Sequence, residues 1–465
     1  MTSKLQLVLK RFFWILFGAG STVIQSAYVF AQDLEVNPPT VIQNVRIIVG
    51  NGTSIENGSL VFEDGKIVDV SEEQLSPRNA LVIDATGKTI IPALIDAHSH
   101  VGYQGREDWG SHNYGVENLI DNLEQYAYYG FGAVFSAGSD SPAVLRTLES
   151  SRKSGDFTGA RLLYAAGMAP PGQGPNNQFL THAMAVEESF GETVLYGLET
   201  PIQARQQVND AANNGVSFIK IWVDDRSGSQ LKLTPAIYRA VIDEAVDLGL
   251  KVFVHQQFAS DMPDLIDAGA HGFLHGRIGT ELDSDIANQA AASDVFIIPN
   301  LGLGELRREA IGDDTFLSSI FSVRSMQNLT NANSQRSLTL DRSDVTESEL
   351  RESFRAMLQA GVDIVLGTDA GAVPDHPFGY SGHRELEIYV RLGMTPMQAL
   401  VAATSVAAKH LGLDQSGQLK KDFRADFIVL DQNPLIDIRN TRNIRNVFLA
   451  GQEIDRLGFQ QKWRP

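Results

Sequence analysis

The chain contains no cysteine, which excludes thiol nucleophiles, disulfide bridges, iron–sulfur clusters and zinc sites built from thiolates. Basic residues are also in deficit, with 38 Lys and Arg against 56 Asp and Glu and a net charge of −18 at pH 7. So acidic a chain repels phosphate backbones, and we therefore expect no nucleic-acid partner. Any bound metal ion must be held by histidine, carboxylate or chemically modified lysine side chains.

Long apolar runs are scarce as well, and the one that stands out lies near the N-terminus. Phe12–Phe17 follows a short basic segment and continues through small residues to Ala31. This pattern is typical of a secretory signal peptide, and we expect residues 1–31 to be cleaved from a secreted or periplasmic protein. The alternative is a retained membrane anchor, which needs about 20 apolar residues, whereas Gly and polar residues interrupt this run. We expect no stable membrane insertion after cleavage.

The rest of the 465 residues, with 43% hydrophobic residues overall, have the composition of a globular chain. Residues 38–90 and residues 417–456 both show short alternating strands separated by Gly, Asn and Asp turns. Such a pattern is typical of antiparallel sheet. Because either half alone would be a marginal sheet, we expect both to form one composite β-sandwich domain.

Residues 91–416 change to apolar strand-like runs that alternate with amphipathic helical runs, for example Pro235–Leu248 and Ser348–Gln359. This change indicates βα repeats and a parallel sheet. This alternation favours an α/β fold, specifically a (β/α)8 TIM barrel. A doubly wound open sheet is the alternative, but it gives no reason for polar residues at so many strand ends. The predicted barrel strands are Ile90–Ala97, Ala133–Ala137, Leu162–Ala166, Phe218–Val223, Val252–His255, Gly272–His275, Val295–Pro299 and Ile364–Thr368.

Several of the predicted strands end in histidine or aspartate. His98 and His100 are two residues apart and project to one face of a strand, and His255, His275 and Asp369 each end another strand. In a barrel these strand ends converge on the face where active sites are built. One such residue alone is more often an ordinary hydrogen-bonded side chain. The set of five predicts a site for a divalent transition metal ion.

Lys220 lies within a predicted strand whose alternation turns it inward together with Phe218 and Trp222. An ammonium group beside metal ions would be repelled, so this lysine is either distant from the metal or chemically altered. A carbamate formed with CO2 would convert it into an anionic bridging ligand. The alternative is an unmodified lysine that pairs with Asp224 or Asp225.

These residues stand within longer ordered motifs, which are Asp96–His100, Ile219–Ile221, His255, His275, Leu366–Asp369, Gly393–Leu400 and Ala425–Asp431. Together, the motifs resemble the amidohydrolase superfamily of metal-dependent hydrolases, in particular its imidazolonepropionase-like and prolidase-like branch. The resemblance covers nearly all of the chain after residue 31. One departure is Gln256-Gln257 after His255, where many relatives carry small or other polar residues.

The resemblance implies a binuclear centre. His98, His100 and Asp369 would hold a buried metal ion, while His255 and His275 would hold an outer one. Carboxylated Lys220 would bridge the two ions. Such ligands suit Zn²⁺, and Mn²⁺, Fe²⁺ and Co²⁺ are alternatives.

The implied activity is hydrolysis of a C–N bond in an amide, a dipeptide or a cyclic amide. Two metal ions that share a water would supply hydroxide, with Asp369 as the catalytic proton shuttle. An esterase or lactonase with the same centre is the alternative reaction. The same side chains would also suit a mononuclear enzyme with unmodified Lys220, or an exported metal-dependent binding protein without turnover.

We expect a small-molecule amide or dipeptide as the partner, and an oligomer is possible. The predicted substrate contacts are Tyr103 and Gln104, which follow the two histidines, His182 in the connection 168–200, and His383 beyond the last barrel strand. Arg106 or Arg277 could bind a carboxylate. The connections 168–200 and 301–346 are long enough to act as lids or binding loops.

Overall fold

The computed structural model describes residues 38–155, 157–256, 258–275, 282–302, 311–337 and 347–464. The predicted signal peptide, residues 1–31, lies outside the described residues, as do Gln257 and Arg277. No helix within the described ranges is both long enough and apolar enough to cross a membrane.

Strands and helices follow one another along the whole described chain. The strands are β1 (Thr40–Ile48), β2 (Ser54–Glu63), β3 (Lys66–Ser71), β4 (Leu81–Asp84), β5 (Thr89–Pro92), β6 (Leu94–Ser99), β7 (Phe131–Ser136), β8 (Arg161–Tyr164), β9 (Ala166–Ala169), β10 (Leu195–Gly197), β11 (Phe218–Val223), β12 (Lys251–Gln256), β13 (Gly272–Leu274), β14 (Phe296–Ile298), β15 (Phe427–Leu430), β16 (Ile444–Leu449) and β17 (Gln452–Glu453). The helices are α1 (Val116–Tyr128), α2 (Pro142–Ser154), α3 (Asn177–Phe190), α4 (Pro201–Asn213), α5 (Pro235–Asp247), α6 (Met262–Asp267), α7 (Ser284–Ala292), α8 (Thr315–Ser318), α9 (Val323–Ser337), α10 (Glu347–Ala360), α11 (Tyr380–Leu392), α12 (Pro396–Ala402), α13 (Ser405–His410) and α14 (Arg456–Trp463).

Strands from both ends of the chain pair in one 8-stranded sheet with the order β17-β16-β15-β5-β1-β2-β3, and β4 pairs with β1. The two ends meet at β5, where Ile90 pairs with Ile47 of β1 on one side and Val429 of β15 on the other. The sheet is mixed, whereas the sequence predicted antiparallel pairing, since β4 and β5 both run parallel to β1. Both strands return to β1 by crossing over after the β2–β3 hairpin, and a crossover connection produces parallel neighbours.

The remaining strands run parallel in a 3-stranded sheet, β6-β7-β8, and a 6-stranded sheet, β10-β9-β11-β12-β13-β14. The segment 363–370 bonds to an edge of each sheet. On one side Val365 N donates to Ile297 O at 3.0 Å, and on the other Ala97 N donates to Leu366 O at 3.0 Å. The predicted strand Ile364–Thr368 contains one isolated bridge, at Ile364, and single hydrogen bonds, and a second bridge lies beyond it at Ala370. The chain turns between the two bridges at Asp369, whose φ is 60°.

Two predicted barrel strands are each divided between two observed strands. Ile90–Ala97 is split at Ala93 into β5 of the 8-stranded sheet and β6 of the parallel strands. Leu162–Ala166 is split at Ala165 into β8 and β9, which belong to different sheets. Continuous apolar runs do not reveal such breaks, since apolar residues stand on both sides of each break.

The two long connections contain regular structure. The first holds α3 and β10, and the second holds α8 and α9. The predicted helices Pro235–Leu248 and Ser348–Gln359 match α5 and α10 to within one residue at each end.

Alternate residues of the parallel strands pack into two separate cores. In β11, Phe218 belongs to an inner cluster, while Ile219 and Ile221 pack with the surrounding helices. The inner cluster contains a chain of aromatic rings. The centroid of the Phe253 ring lies 5.2 Å from that of Phe135 and 5.0 Å from that of Phe296. This packing confirms the predicted inward face of β11 and fills the space beneath the strand ends.

Ile90 links the two ends of the chain, so its truncation is expected to destabilise the whole fold. Ile90 is fully buried, and Ile90→Ala is expected to lower the free energy of unfolding by about 2–5 kcal/mol because it leaves a cavity. Ile436→Ala serves as the matched control, since Ile436 is 81% exposed. Thermal unfolding followed by circular dichroism measures both, and an equal effect at the two positions would contradict this account of the sheet.

Candidate metal centre

The imidazoles at the end of β6 meet the carboxylate of Asp369. His98 Nε2 lies 3.4 Å from Asp369 Oδ1, and His100 Nε2 lies 3.2 Å from the same oxygen. The shared oxygen belongs to Asp369, at the turn within segment 363–370. The rings of His98 and His100 therefore point toward the same oxygen atom, as their spacing of two residues predicts.

The histidines at the ends of β12 and β13 form a second pair. His255 Nδ1 lies 3.1 Å from His275 Nε2, and the ring of His275 stacks on that of His98 with centroids 5.0 Å apart. His275 Nε2 also lies 4.0 Å from Asp369 Oδ2. The four histidines and Asp369 therefore form one continuous cluster.

Lys220 lies on β11, next to the strand that carries His255, and its side chain is 1% exposed. Its Nζ lies 5.8 Å from the centre of the Trp222 ring and has no hydrogen-bond partner among the described residues. Burial lowers the pKa of Lys220 to about 7, against an opposing effect of the Asp369 charge. The predicted salt bridge to Asp224 or Asp225 is wrong for Asp224, which instead binds His255 and Arg226.

The second ring nitrogen of three histidines is held by a polar neighbour. His98 Nδ1 lies 2.9 Å from Asn300 Oδ1, and His100 Nδ1 lies 2.7 Å from Ser139 Oγ. His255 Nε2 lies 2.6 Å from Asp224 Oδ2. Such contacts fix the orientation and the tautomer of a ligating imidazole, and they direct its free lone pair to the opposite side.

Asp96 ties the two ligand-bearing segments together. It is fully buried, and its Oδ1 accepts hydrogen bonds from the backbone N–H of His98 at 3.2 Å and of Thr368 at 3.0 Å. Its Oδ2 accepts from Thr368 Oγ1 at 2.6 Å and from the Tyr126 hydroxyl at 2.9 Å. The end of β6 and the turn that carries Asp369 are thus held in register by one side chain.

Burial determines the protonation of the imidazoles. It lowers the pKa of His98, His255 and His275 well below the ordinary value, so these rings are neutral at pH 7. Burial alone would raise the pKa of Asp369. The interactions with the neighbouring imidazoles have the larger effect, and they hold the pKa of Asp369 well below its usual range. Neutral imidazoles beside an ionised carboxylate are the protonation states that a divalent metal ion requires.

The polar atoms of this cluster fit a bound metal ion. Ligand atoms of His98, His275 and Asp369 all lie within 4.8 Å of one another. His98 Nε2 and Asp369 Oδ1 are buried and have no hydrogen-bond partner within the described ranges. Unsatisfied buried polar atoms are rare in native proteins, and histidine and carboxylate ligands suit a divalent cation. The cluster is a possible His/Asp metal site.

A cavity of about 370 Å³ opens directly onto the cluster, a volume in the range of small-molecule sites. Its floor is formed by four of the predicted ligands, and the connection 168–200 supplies part of its wall, as its length suggested. The lining residues are His100, Pro175, Asn176, Gln178, Phe179, Trp222, Asp224, Arg226, His255, Gln256, His275, Asp369, Ala372 and Val373.

Two predicted substrate contacts lie in the protein core. Tyr103 is fully buried, and its hydroxyl donates to Ser139 O at 2.6 Å. His383 is also fully buried, with Nδ1 2.9 Å from Thr441 Oγ1 and Nε2 2.8 Å from Tyr129 O. Neither residue lines the cavity, and both have their polar atoms satisfied. The structure therefore corrects these two predictions.

The other two predicted contacts also lie outside the cavity lining. His182 accepts a hydrogen bond from Ser111 N at 3.1 Å, and Gln104 donates to Gly105 O at 2.9 Å. Gln104 lines a second cavity of about 320 Å³, together with Arg106. Closeness in sequence to His100 did not place Gln104 in the first cavity, because the chain turns away directly after β6.

Three residues beside the histidine cluster or its cavity were not assigned a role by the sequence analysis. Asn300 follows β14 and orients His98, while Arg226 and Gln256 line the cavity. The sequence pattern could have identified Asn300, because this residue directly follows a predicted strand, as the predicted ligands do. Arg226 lies three residues beyond its strand, where the sequence pattern does not fix the direction of a side chain.

The chain was compared with known proteins. The amidohydrolase family model matches residues 89–454. The ochratoxinase of Aspergillus niger is 22% identical over 432 residues, which cover 86% of this chain and 82% of that protein. The imidazolonepropionase of Streptomyces griseus subsp. griseus is 24% identical over 397 residues, which cover 82% and 88%. The crystal structure of a Xaa-Pro dipeptidase with bound methionine is similar with a TM-score of 0.68 and 23% identity, covering 89% of this chain and 99% of that one.

The chain belongs to the amidohydrolase family, since the family model spans most of its length. It is therefore an enzyme of the amidohydrolase class, and the resemblance noted in its motifs is confirmed. The structural neighbours show that the parallel strands and helices form a TIM-barrel-like α/β fold.

Asn300 is expected to support metal binding through His98. Asn300→Ala removes the contact that orients the His98 ring and is expected to weaken metal binding about 10- to 100-fold. Asn79→Ala is a matched control, because Asn79 has a φ of 61° against 49° for Asn300 but is exposed. Competition with a chelator measures the affinity, and equal losses in the two variants would point to backbone strain instead of ring orientation.

Proposed function

We propose that this protein hydrolyses the C–N bond of an amide, dipeptide or cyclic amide with the help of two divalent metal ions. His98, His100 and Asp369 would hold one ion, and His255 and His275 would hold the other. The observation that carries this proposal is the convergence of imidazole nitrogens on the Asp369 carboxylate at the floor of a cavity. Zn²⁺ is the proposed metal because it accepts such nitrogen and oxygen ligands.

Divalent ions bound here would acidify a water molecule and polarise the carbonyl group of the substrate. Asp369 is ionised and faces the cavity, so its carboxylate can accept a proton from the attacking water. Water oxygen then adds to the carbonyl carbon, and the C–N bond breaks as Asp369 returns this proton to the leaving nitrogen. The walls of the cavity hold the substrate during these steps.

Lys220 is proposed to be a carbamate that bridges the two ions. Its pKa of about 7 leaves a large fraction of neutral amine at neutral pH, and only a neutral amine can add CO2. The addition forms an N–C bond and releases one proton, which leaves an anionic group with two oxygen atoms. The buried Nζ has no partner among the described side chains, and this also supports a chemical change that supplies one.

The substrate class follows from the relatives that share the fold. An ochratoxinase, an imidazolonepropionase and a Xaa-Pro dipeptidase are named for different substrates, so the common chemistry is proposed and the particular substrate is left to experiment. A small molecule fits the cavity volume of about 370 Å³.

Three features of the architecture also remain proposals. Residues 1–31 are proposed to direct export to the periplasm or the outside of the cell. Residues 91–416 are proposed to close into a (β/α)8 barrel, supported by the hydrogen bonds of segment 363–370 to both parallel sheets. Residues 38–90 and 417–456 are proposed to form a sandwich domain around the apolar core that they enclose.

The proposed activity is tested with metal-loaded protein, a set of dipeptides and N-acyl amino acids, and esters of the same acids. Amide hydrolysis is expected, and Asp369→Asn is expected to reduce kcat at least about 100-fold because the proton transfer is lost. Asp422→Asn is the control, since Asp422 is exposed and also has a positive φ, 70° against 60°. Hydrolysis of the esters alone would replace the proposal with an esterase, and full activity of Asp369→Asn would refute the role of Asp369.

Lys220→Met is expected to lower the metal content from about two ions to about one per chain, because the bridge between the two sites is removed. Protein equilibrated with isotope-labelled bicarbonate is expected to show a carbamate carbon resonance that is absent from this variant. Lys153→Met is the control, since the Lys153 side chain is 75% exposed. A carbamate signal that survives in Lys220→Met, or two ions bound without any such signal, would contradict the proposed bridge.

A further inference from the structure

Arg226 is the only arginine or lysine among the described residues that line the cavity. It follows β11, and its side chain is 18% exposed. Its Nη1 lies 2.9 Å from Asp224 Oδ2 and its Nη2 donates to Gly174 O at 2.8 Å. These two bonds use only part of the five N–H donors of a guanidinium group, and the Nε atom is buried without a partner within the described chain.

The position of Arg226 relative to the metal cluster is fixed by Asp224. One carboxylate oxygen of Asp224 contacts both the guanidinium of Arg226 and the ring of His255. Asp224 Oδ1 also accepts the backbone N–H of Arg226 at 2.7 Å. The cation therefore stands beside the candidate ligand His255 in a fixed orientation, and it lines the cavity with N–H donors left unused.

Gln256 provides a second and independent observation. It ends β12 next to His255, lines the cavity and is 1% exposed. Neither its Oε1 nor its Nε2 has a hydrogen-bond partner among the described residues. A buried amide group with both polar atoms unsatisfied destabilises a protein, so its presence at a cavity wall indicates a ligand that supplies the partners.

We propose that Arg226 and Gln256 form a subsite that binds a carboxylate group of the substrate. Guanidinium and amide N–H groups are suitable donors to a carboxylate, and the bond to arginine is strengthened by its charge. This inference rests on the proposed hydrolase activity and narrows its substrates to amides that carry a carboxylate, such as N-acyl amino acids and dipeptides. The aromatic rings of Phe179 and Trp222 in the same lining favour an apolar side chain beside that carboxylate.

Arg106, the cation that sequence analysis suggested for this role, is less suited to it. Its Nε donates to Asp121 Oδ2 at 2.7 Å and its guanidinium stacks 4.0 Å from the centre of the Trp463 ring. It lines the second cavity, which contains none of the proposed metal ligands. A carboxylate bound there would not be placed next to the metal cluster.

The subsite is tested by binding of 3-phenylpropionate and of the neutral 3-phenylpropan-1-ol to metal-loaded protein, measured by calorimetry. Neither probe contains a bond that the proposed enzyme cleaves, so binding is read independently of turnover. The wild-type protein is expected to bind the acid about 10- to 100-fold more tightly than the alcohol, as for a charge-assisted hydrogen bond. Arg226→Met is expected to abolish this preference, and Arg226→Lys to restore part of it, because the charge returns without the planar fork.

Gln256→Met is expected to reduce the preference several-fold while the metal content stays unchanged. Arg146→Met is the control for loss of one positive charge, since the Arg146 side chain is 63% exposed on the surface, and it should bind both probes as the wild type does. A preference for the acid that survives in Arg226→Met would show that the carboxylate binds elsewhere. A preference lost in Arg106→Met instead would move the subsite to the second cavity, and equal binding of both probes by the wild type would overturn the inference.

Kinetics with N-acetyl-L-phenylalanine and its carboxamide separate this inference from the proposed function. Arg226→Met is expected to raise KM for the acid and to leave the carboxamide nearly unaffected. Equal losses on both substrates would mean that Arg226 acts only through Asp224 and His255. Hydrolysis of neither these substrates nor any member of the dipeptide and N-acyl amino acid set, together with an Arg226-dependent preference in binding, would refute the hydrolase and leave the carboxylate subsite in place.

Discussion

The buried carboxylate of Asp96 is the contact on which the candidate metal centre depends. Its two oxygen atoms accept hydrogen bonds from His98, Tyr126 and Thr368, and Thr368 precedes Asp369 in the chain. Residues separated by most of the barrel sequence are thereby held at one point. Burial raises the pKa of Asp96 to about 6, although these hydrogen bonds favour the charged form. A charged carboxylate buried at this position indicates that Asp96 maintains the geometry of the candidate metal centre, and not stability alone.

The strand ends are held in unfavourable backbone conformations by the packing beneath them. His275, Asn300 and Asp369 have φ values of 47°, 49° and 60°, in the left-handed region that non-glycine residues rarely adopt. Such strain persists only where the surrounding structure compensates for it, and it is concentrated at functional sites. Here the aromatic rings of the inner core and the hydrogen bonds of the strand ends provide that support. The strained turns direct three polar side chains toward one cluster.

The sequence predicted those features that depend on local periodicity. Strand ends follow from apolar runs, so the placement of His98 and His255 at the ends of β6 and β12 could be predicted without coordinates. The split of one run at Ala93 could not, because burial on both sides of the break leaves the apolar pattern continuous. Predictions based on closeness in sequence to a strand end were the least reliable, since Tyr103 and His383 both lie in the core. Arg226, which lines the cavity, was missed. Loop geometry depends on contacts between distant segments, which a single sequence does not specify.

The charge of the chain bears on how an anionic substrate would reach the cavity. The net charge is −18, which repels anions over long range, but salt screens such fields beyond about 8 Å at physiological ionic strength. Recognition must therefore arise from short-range contacts inside the cavity, where water is partly excluded and a guanidinium is worth more than on the surface. Asp224 neutralises part of the Arg226 charge in the free protein. An incoming carboxylate therefore competes with Asp224 for the N–H donors of Arg226. Divalent ions bound at the cluster would add positive charge and favour the binding of anions in the cavity. The acidic chain could then bind a substrate that is itself negatively charged.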